Sequence, residues 1–200
     1  MKLQELQNHR VVTRLLREAM QVFREVYGDK PPSLDSEDEP LPDEYQFYFI
    51  RVGSQIGNLI TWCKQLEHSV LYISNYLTSQ AMKKAGVTRH TYLVYHIENY
   101  IIRVESLYDR ILHLVDAVFH LTNDPVNCTH NVIVTNLKVK RTDIPSALKP
   151  LKKLLQDYKF ERNTIVHHES YQDKMLRRLE LFSLVSENHS NIDDRLARAL

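Results

Sequence analysis

Two hundred residues, 43% hydrophobic and 26% charged, give room for one good-sized domain with its own core, and a formal net charge of +1 does not mark the chain as a bulk binder of nucleic acid. Four glycines are few for a protein of strands and tight turns, and two cysteines, Cys63 and Cys128, are too few for a disulfide framework or a Cys-based zinc site. The opening residues lack an apolar signal core and no run approaches the ~20 apolar residues that span a bilayer, so the expectation is a cytoplasmic, all-α protein, neither secreted nor membrane-inserted.

In chain order, residues 3–27 place Leu15, Ala19, Val22 and Val26 at helical spacing, and Gly28-Asp29-Lys30-Pro31-Pro32 stops that helix. Residues 33–44 carry six acids, no base and prolines, which predicts a loop or linker. A long helix is predicted from about 43 to about 84, because Phe49, Val52, Ile56, Leu59, Cys63, Leu66, Val70, Ile73 and Leu77 repeat at three and four, with Ala85-Gly86 as its end. Thr88 can cap the next, which keeps the spacing through Ile97, Ile101, Val104, Tyr108, Ile111, Val115 and Val118 until Thr122-Asn123-Asp124-Pro125. Over 126–145 the pattern fits either a short helix around 132–137 or a strand at Val132-Ile133-Val134. Helical periodicity returns from about Ser146, with Pro150 tolerable only in a first turn. A further helix covers roughly 171–186, and a short piece follows Ser190 with Asn191 as its cap. The expected architecture is an antiparallel four-helix bundle over 45–186, an N-terminal helix and acidic loop over 1–44, and a tail or short helix over 187–200.

The chemistry concentrates in Arg162-Asn163-Thr164-Ile165-Val166-His167, followed by His168. Guanidinium presents phosphate with a planar fork of donors and stays charged, while imidazole exchanges a proton near neutral pH, so the set is a kit for cutting a phosphodiester. Chance alone gives about 0.7 Arg-x4-His matches in this composition, and requiring Asn after the Arg lowers that to roughly 0.04. Upstream, residues 138–162 hold eight bases against three acids, and Lys152, Lys153 and Lys159 are candidates to steer an RNA backbone toward the motif. A solvated, lysine-rich helix face is the equal alternative on charge alone.

A bundle with two long helices and an Arg-Asn-x3-His motif on a late helix resembles the HEPN superfamily, and the segment 97–110 (IENYIIRVESLYDR) resembles the second long helix of its bacterial members. The likeness covers about residues 45–185. Members carrying Arg-x4-6-His are typically metal-independent endoribonucleases, usually homodimers with a composite cleft, and many are toxins or antiviral-defence effectors. The resemblance implies that Arg162 neutralises the transition state, that Asn163 belongs to the site, and that His167 moves the proton, with RNA as substrate, a second copy of the chain as partner, an antitoxin or defence-system protein as a further partner, and no cofactor. Some superfamily toxins carry a tyrosine two residues after the motif histidine that a partner nucleotidyltransferase modifies; here that position is Glu169, so this control does not carry over.

Each feature has a plainer counterpart. Arg162 would otherwise pair with Glu98, Glu105 or Asp109 while His167 caps backbone carbonyls, leaving a catalytically silent bundle that binds RNA, a nucleotide or another protein. His168 is an alternative to His167 under looser spacing, although it points about 100° away on a helix. No metal is expected, because adjacent side chains diverge on a helix and no His-x3-His pair completes a site. His113 and His120 read as surface or boundary residues. Gly53 and Gly57, inside a long helix, predict close approach of another backbone, and Tyr45, Tyr48, Tyr72, Tyr76, Tyr92 and Tyr95 read as core more than as base-stacking residues.

Overall fold

Among the described residues every regular element is helical, as the scarcity of glycine and the three-and-four apolar spacing require. The structure, a computed structural model, describes residues 3–29, 40–76, 79–167 and 170–186. Helices α1 (Leu3–Gln7) and α2 (Arg10–Tyr27) divide the expected N-terminal helix at Asn8-His9, and α2 stops at Gly28 with φ 70°. Helix α3 (Glu44–Ser74) opens with a reciprocal cap: the Gln46 amide donates to Asp43 Oδ1 at 2.8 Å and the Asp43 amide donates to Gln46 Oε1 at 3.0 Å. Most of the predicted acidic loop, and Leu77, fall outside the described residues, as do the segment after Ser186 and its Asn191 cap.

The long helix ends about ten residues earlier than periodicity predicts. Ser74 Oγ and Asn75 Nδ2 turn back onto the carbonyls of Val70 and Leu71, and Ser79 then caps a separate helix α4 (Gln80–Lys84) by accepting from the Met82 amide. Short polar side chains that bond nearby backbone compete with helix continuation, a local effect that an apolar repeat does not register. Thr88 caps α5 (Arg89–Val118) as expected, its Oγ1 accepting from the Thr91 amide at 3.1 Å. Two short helices, α6 (His130–Thr135) and α7 (Leu137–Lys140), settle the ambiguous segment as helical, with Ile133 and Val139 fully buried. Helix α8 (Ile144–His167) starts two residues before the expected point and takes Pro150 into its interior, and α9 (Lys174–Ser186) matches the last predicted helix within the fuzziness of helix ends.

The chain divides into two compact units. Unit 1 comprises Met1–Gln65 and Ser106–Leu155. Its core joins Val52, Ile56 and Ala117 with Val12, Leu15 and Leu16 of α2 packed against them. Here the start of α3 lies against the end of α5: Tyr48 Oη donates to the Val118 carbonyl, and Arg51 pairs with Asp116. Asp116, 1% exposed, also accepts from Asn123 Nδ2 at 2.6 Å. The Arg110 guanidinium sits 3.6 Å from the Trp62 ring centroid. Burial first, then the Asp116 charge, pushes the Cys128 thiol up to about 11.

Unit 2 comprises Leu66–Glu105 and Gln156–Leu200. Rings knit the end of α3 to the start of α5: Tyr72 with His96, Tyr76 with Tyr92, and Arg89 over Tyr76. Desolvation holds the His96 imidazole below its ordinary value. The apolar stripe of α3 drifts by this point, for Ser69 is buried while Val70, Leu71 and Tyr72 are exposed. The expectation that the tyrosines form core is corrected in the same way: Tyr45, Tyr72 and Tyr95 are exposed, and Tyr48, Tyr76 and Tyr92 are half-buried. Hydroxyls favour the boundary, where ring and water are both reachable.

The two helical glycines differ. A Cβ on Gly53 would collide with Ala19 Cβ of α2, which is the predicted close approach, whereas a Cβ on Gly57 meets nothing within 4 Å. Gly57→Ala should therefore raise unfolding free energy by about 1 kcal/mol through helix propensity, and Gly53→Ala should lower it, both read by chemical denaturation. Asp116→Ala strips Arg51 of its partner inside unit 1 and should cost about 3 kcal/mol in the same measurement.

Candidate functional site

Helices α5 and α8 bring the motif together with carboxylates inside unit 2. Tyr158, one turn before Arg162 and on the same side of α8, lies near enough to Tyr100 of α5 to act on its titration. Burial first, then Tyr158, raises the Tyr100 pKa. One turn later Arg162 Nε lies 3.7 Å from Glu105 Oε2, an ion pair too long for a hydrogen bond. Arg162 Nη1 donates to Asn163 Oδ1 at 3.0 Å. The Arg162 side chain is 35% exposed and that of Glu105 21%, so the guanidinium is held while keeping a face toward solvent.

His167 is the last residue of α8 and is exposed. Because α8 stays helical through it, Asn163 and His167 share a face at i, i+4, and Arg162 stands about 140° away around the axis. Phe160, two turns before His167 on the same face, is 78% exposed. Thr164 Oγ1 bonds back to the Phe160 carbonyl at 3.1 Å. Lys159 is exposed one turn before Asn163, whereas Lys152 and Lys153, also exposed, belong to unit 1, where Lys152 adds to burial in lowering the His130 pKa. His168 and Glu169 lie outside the described residues.

Of the three acids weighed as partners for Arg162, the structure uses Glu105. Glu98 goes elsewhere, accepting the Tyr171 amide at 2.7 Å and so pinning the chain just after the motif. Sequence reasoning did not assign that role to Glu98, and helical spacing alone held the signal: Glu98 and Glu105 are seven residues apart and therefore on one face of α5. Among the described residues no three His, Cys, Asp or Glu side chains gather as a metal site, and no helix is long and apolar enough to cross a membrane.

The half-exposed Arg162–Glu105 pair should contribute little to stability. Arg162→Ala and Glu105→Gln are each expected to cost no more than about 1 kcal/mol, and the double variant no more than the sum, in denaturant titrations. Losses of about 3 kcal/mol or more would assign the pair to holding the fold.

Against known families, a model described as Cthe2314-like HEPN matches residues 48–198, three quarters of the chain and the whole of the motif. No curated protein and no solved structure gives a match.

Proposed function

This chain belongs to the HEPN family, and on that premise we propose that it is a metal-independent endoribonuclease acting as a toxin or defence effector. One observation carries the reading. Arg162 is braced by Glu105 and Asn163 on the last turns of a helix that presents His167 to solvent, so a fixed cation and an accessible proton carrier stand within six residues.

In the proposed reaction, an imidazole takes the proton of a ribose 2′-hydroxyl, whose oxygen attacks the adjacent phosphorus. The P–O5′ bond breaks as the P–O2′ bond forms, and an imidazolium returns a proton to the leaving 5′-oxygen. Products are a 2′,3′-cyclic phosphate and a 5′-hydroxyl. Arg162 neutralises charge on the equatorial oxygens, a role whose removal commonly costs ~3–4 kcal/mol of barrier. Asn163 holds the guanidinium in place. One helix cannot turn Arg162 and His167 to the same point, so two copies of the chain would supply the set, one histidine as base and the other as acid. The exposed Phe160, two turns before His167 on the same face of α8, offers apolar area for that pairing. Lys159 would contact the RNA backbone.

Purified protein in excess EDTA is expected to cleave end-labelled RNA and leave cyclic-phosphate ends, with Arg162→Ala and His167→Ala folded and inactive. The imidazole alone should account for roughly 10²–10⁴ of the rate. Equal cleavage by the variants would overturn the reading.

A second reading has one observation behind it. The Arg162 guanidinium already has two partners within its own chain, as it would in a silent module that binds RNA, a nucleotide or a protein. RNA retained on the protein without cleavage would favour it.

A further inference from the structure

A cavity of about 410 Å³ in unit 2 is built from the first ten residues of α5, the segment 170–172 and the first two turns of α9. Its walls are mostly apolar, Val94 and Leu176 among them, and Tyr95, 61% exposed, lines it from α5. Glu98, Arg177 and Glu180 are its charged groups, and the first two bond to other residues of its walls. Glu98 accepts the Tyr171 amide through Oε1, and Arg177 donates to Gln172 Oε1 through both Nε, at 3.0 Å, and Nη2. The phosphodiester chemistry uses neither. Yet Glu98 stands on the same face of α5 as Glu105, about 10 Å along the axis from the residue that braces Arg162. One wall of the cavity is therefore about two helical turns along α5 from the carboxylate that braces Arg162.

We infer that this cavity is a nucleobase subsite that selects guanine next to the scissile phosphate, an inference that rests on the ribonuclease reading for its place in the reaction. A carboxylate only accepts, and its two oxygens have room for more than the one Tyr171 amide. It rewards a base edge with two adjacent donors. Guanine offers N1–H beside the N2 amino group, whereas adenine and cytosine set an amino group beside a ring nitrogen that repels the carboxylate, and uracil sets one N–H between two carbonyls. Arg177 keeps further guanidinium donors after serving Gln172, and an arginine fork matches the O6 and N7 of guanine. Tyr95 supplies a flat, solvent-reachable ring on which a base can stack.

The test is titration of the full chain with the 5′-monophosphates of guanosine, adenosine, cytidine and uridine, which share a phosphate and differ in the base. Glu98→Gln keeps an oxygen for the Tyr171 amide and puts an NH₂ where the second oxygen was, opposing guanine's donors while preserving the contact that pins the chain. Tyr95→Ala removes an exposed ring. The wild type should prefer guanosine monophosphate about tenfold or more; Glu98→Gln should lose at least about fivefold of that preference, and Tyr95→Ala should weaken all four. Equal affinity for the four, or an unchanged preference in Glu98→Gln, overturns the subsite. Because binding is read without cleavage, the two readings separate. Guanine preference with no cleavage supports the subsite and removes the nuclease, whereas cleavage of a randomised RNA with no guanine enrichment at the cut keeps the nuclease and overturns the subsite.

Discussion

A carboxylate buried in a helical core must be met by a cation and by donors, and Asp116 is met by Arg51 and Asn123. That requirement sets unit 1. Arg51 comes from the third turn of α3, Asp116 from the last turn of α5, and Asn123 from the loop that leaves it, so one charge fixes an antiparallel helix pair and the exit of the chain. Packing of Val52, Ile56 and Ala117 is consistent with that register and adds area, but apolar stripes alone tolerate sliding by a turn. The carboxylate does not.

Carboxylates serve a different purpose in unit 2. Glu105 and Glu98 also project from α5, but each is partly solvated, and each holds part of the motif region: the Arg162 guanidinium in one case, the chain just beyond α8 in the other. Partial exposure keeps the attraction modest and leaves the guanidinium able to meet a second anion. A fully buried arginine would be satisfied and inert; a fully exposed one would lose side-chain entropy on binding. Arg162 lies between these limits.

Most of the fold was legible because periodicity and caps report it directly. Gly28 and Thr88 each mark a helix end by local chemistry that needs no tertiary partner. What was not legible depended on competition or on neighbours. The stop at Ser74-Asn75 pits side-chain hydrogen bonds against an apolar repeat that continues, and the drift of the α3 stripe toward Ser69 depends on what packs there. Gly53 and Gly57 are identical in one dimension, yet one faces Ala19 and the other meets open space. Helix α8 starts at Ile144, two residues before the point where periodicity resumes, which places Pro150 well inside it. For the candidate site, the sequence marked Arg162, Asn163 and His167 by type and spacing, and offered Glu105 as one of three possible partners. It could not separate Glu98 from Glu105, since choosing between them requires knowing where the chain turns after α8.

Cys128 carries a consequence of a different kind. Oxidants and electrophiles attack the thiolate, and a buried thiol that titrates near 11 is almost wholly protonated at cellular pH. Burial first, and the Asp116 carboxylate second, thus withdraw it from the oxidation ladder of sulfenic, sulfinic and sulfonic acids. Of the two cysteines, Cys63, half-buried on α3, is the one through which peroxide would first register. The packing that buries Asp116 also buries the neighbouring sulfur, and Arg51, which neutralises the carboxylate, offsets part of that carboxylate's effect on the thiol.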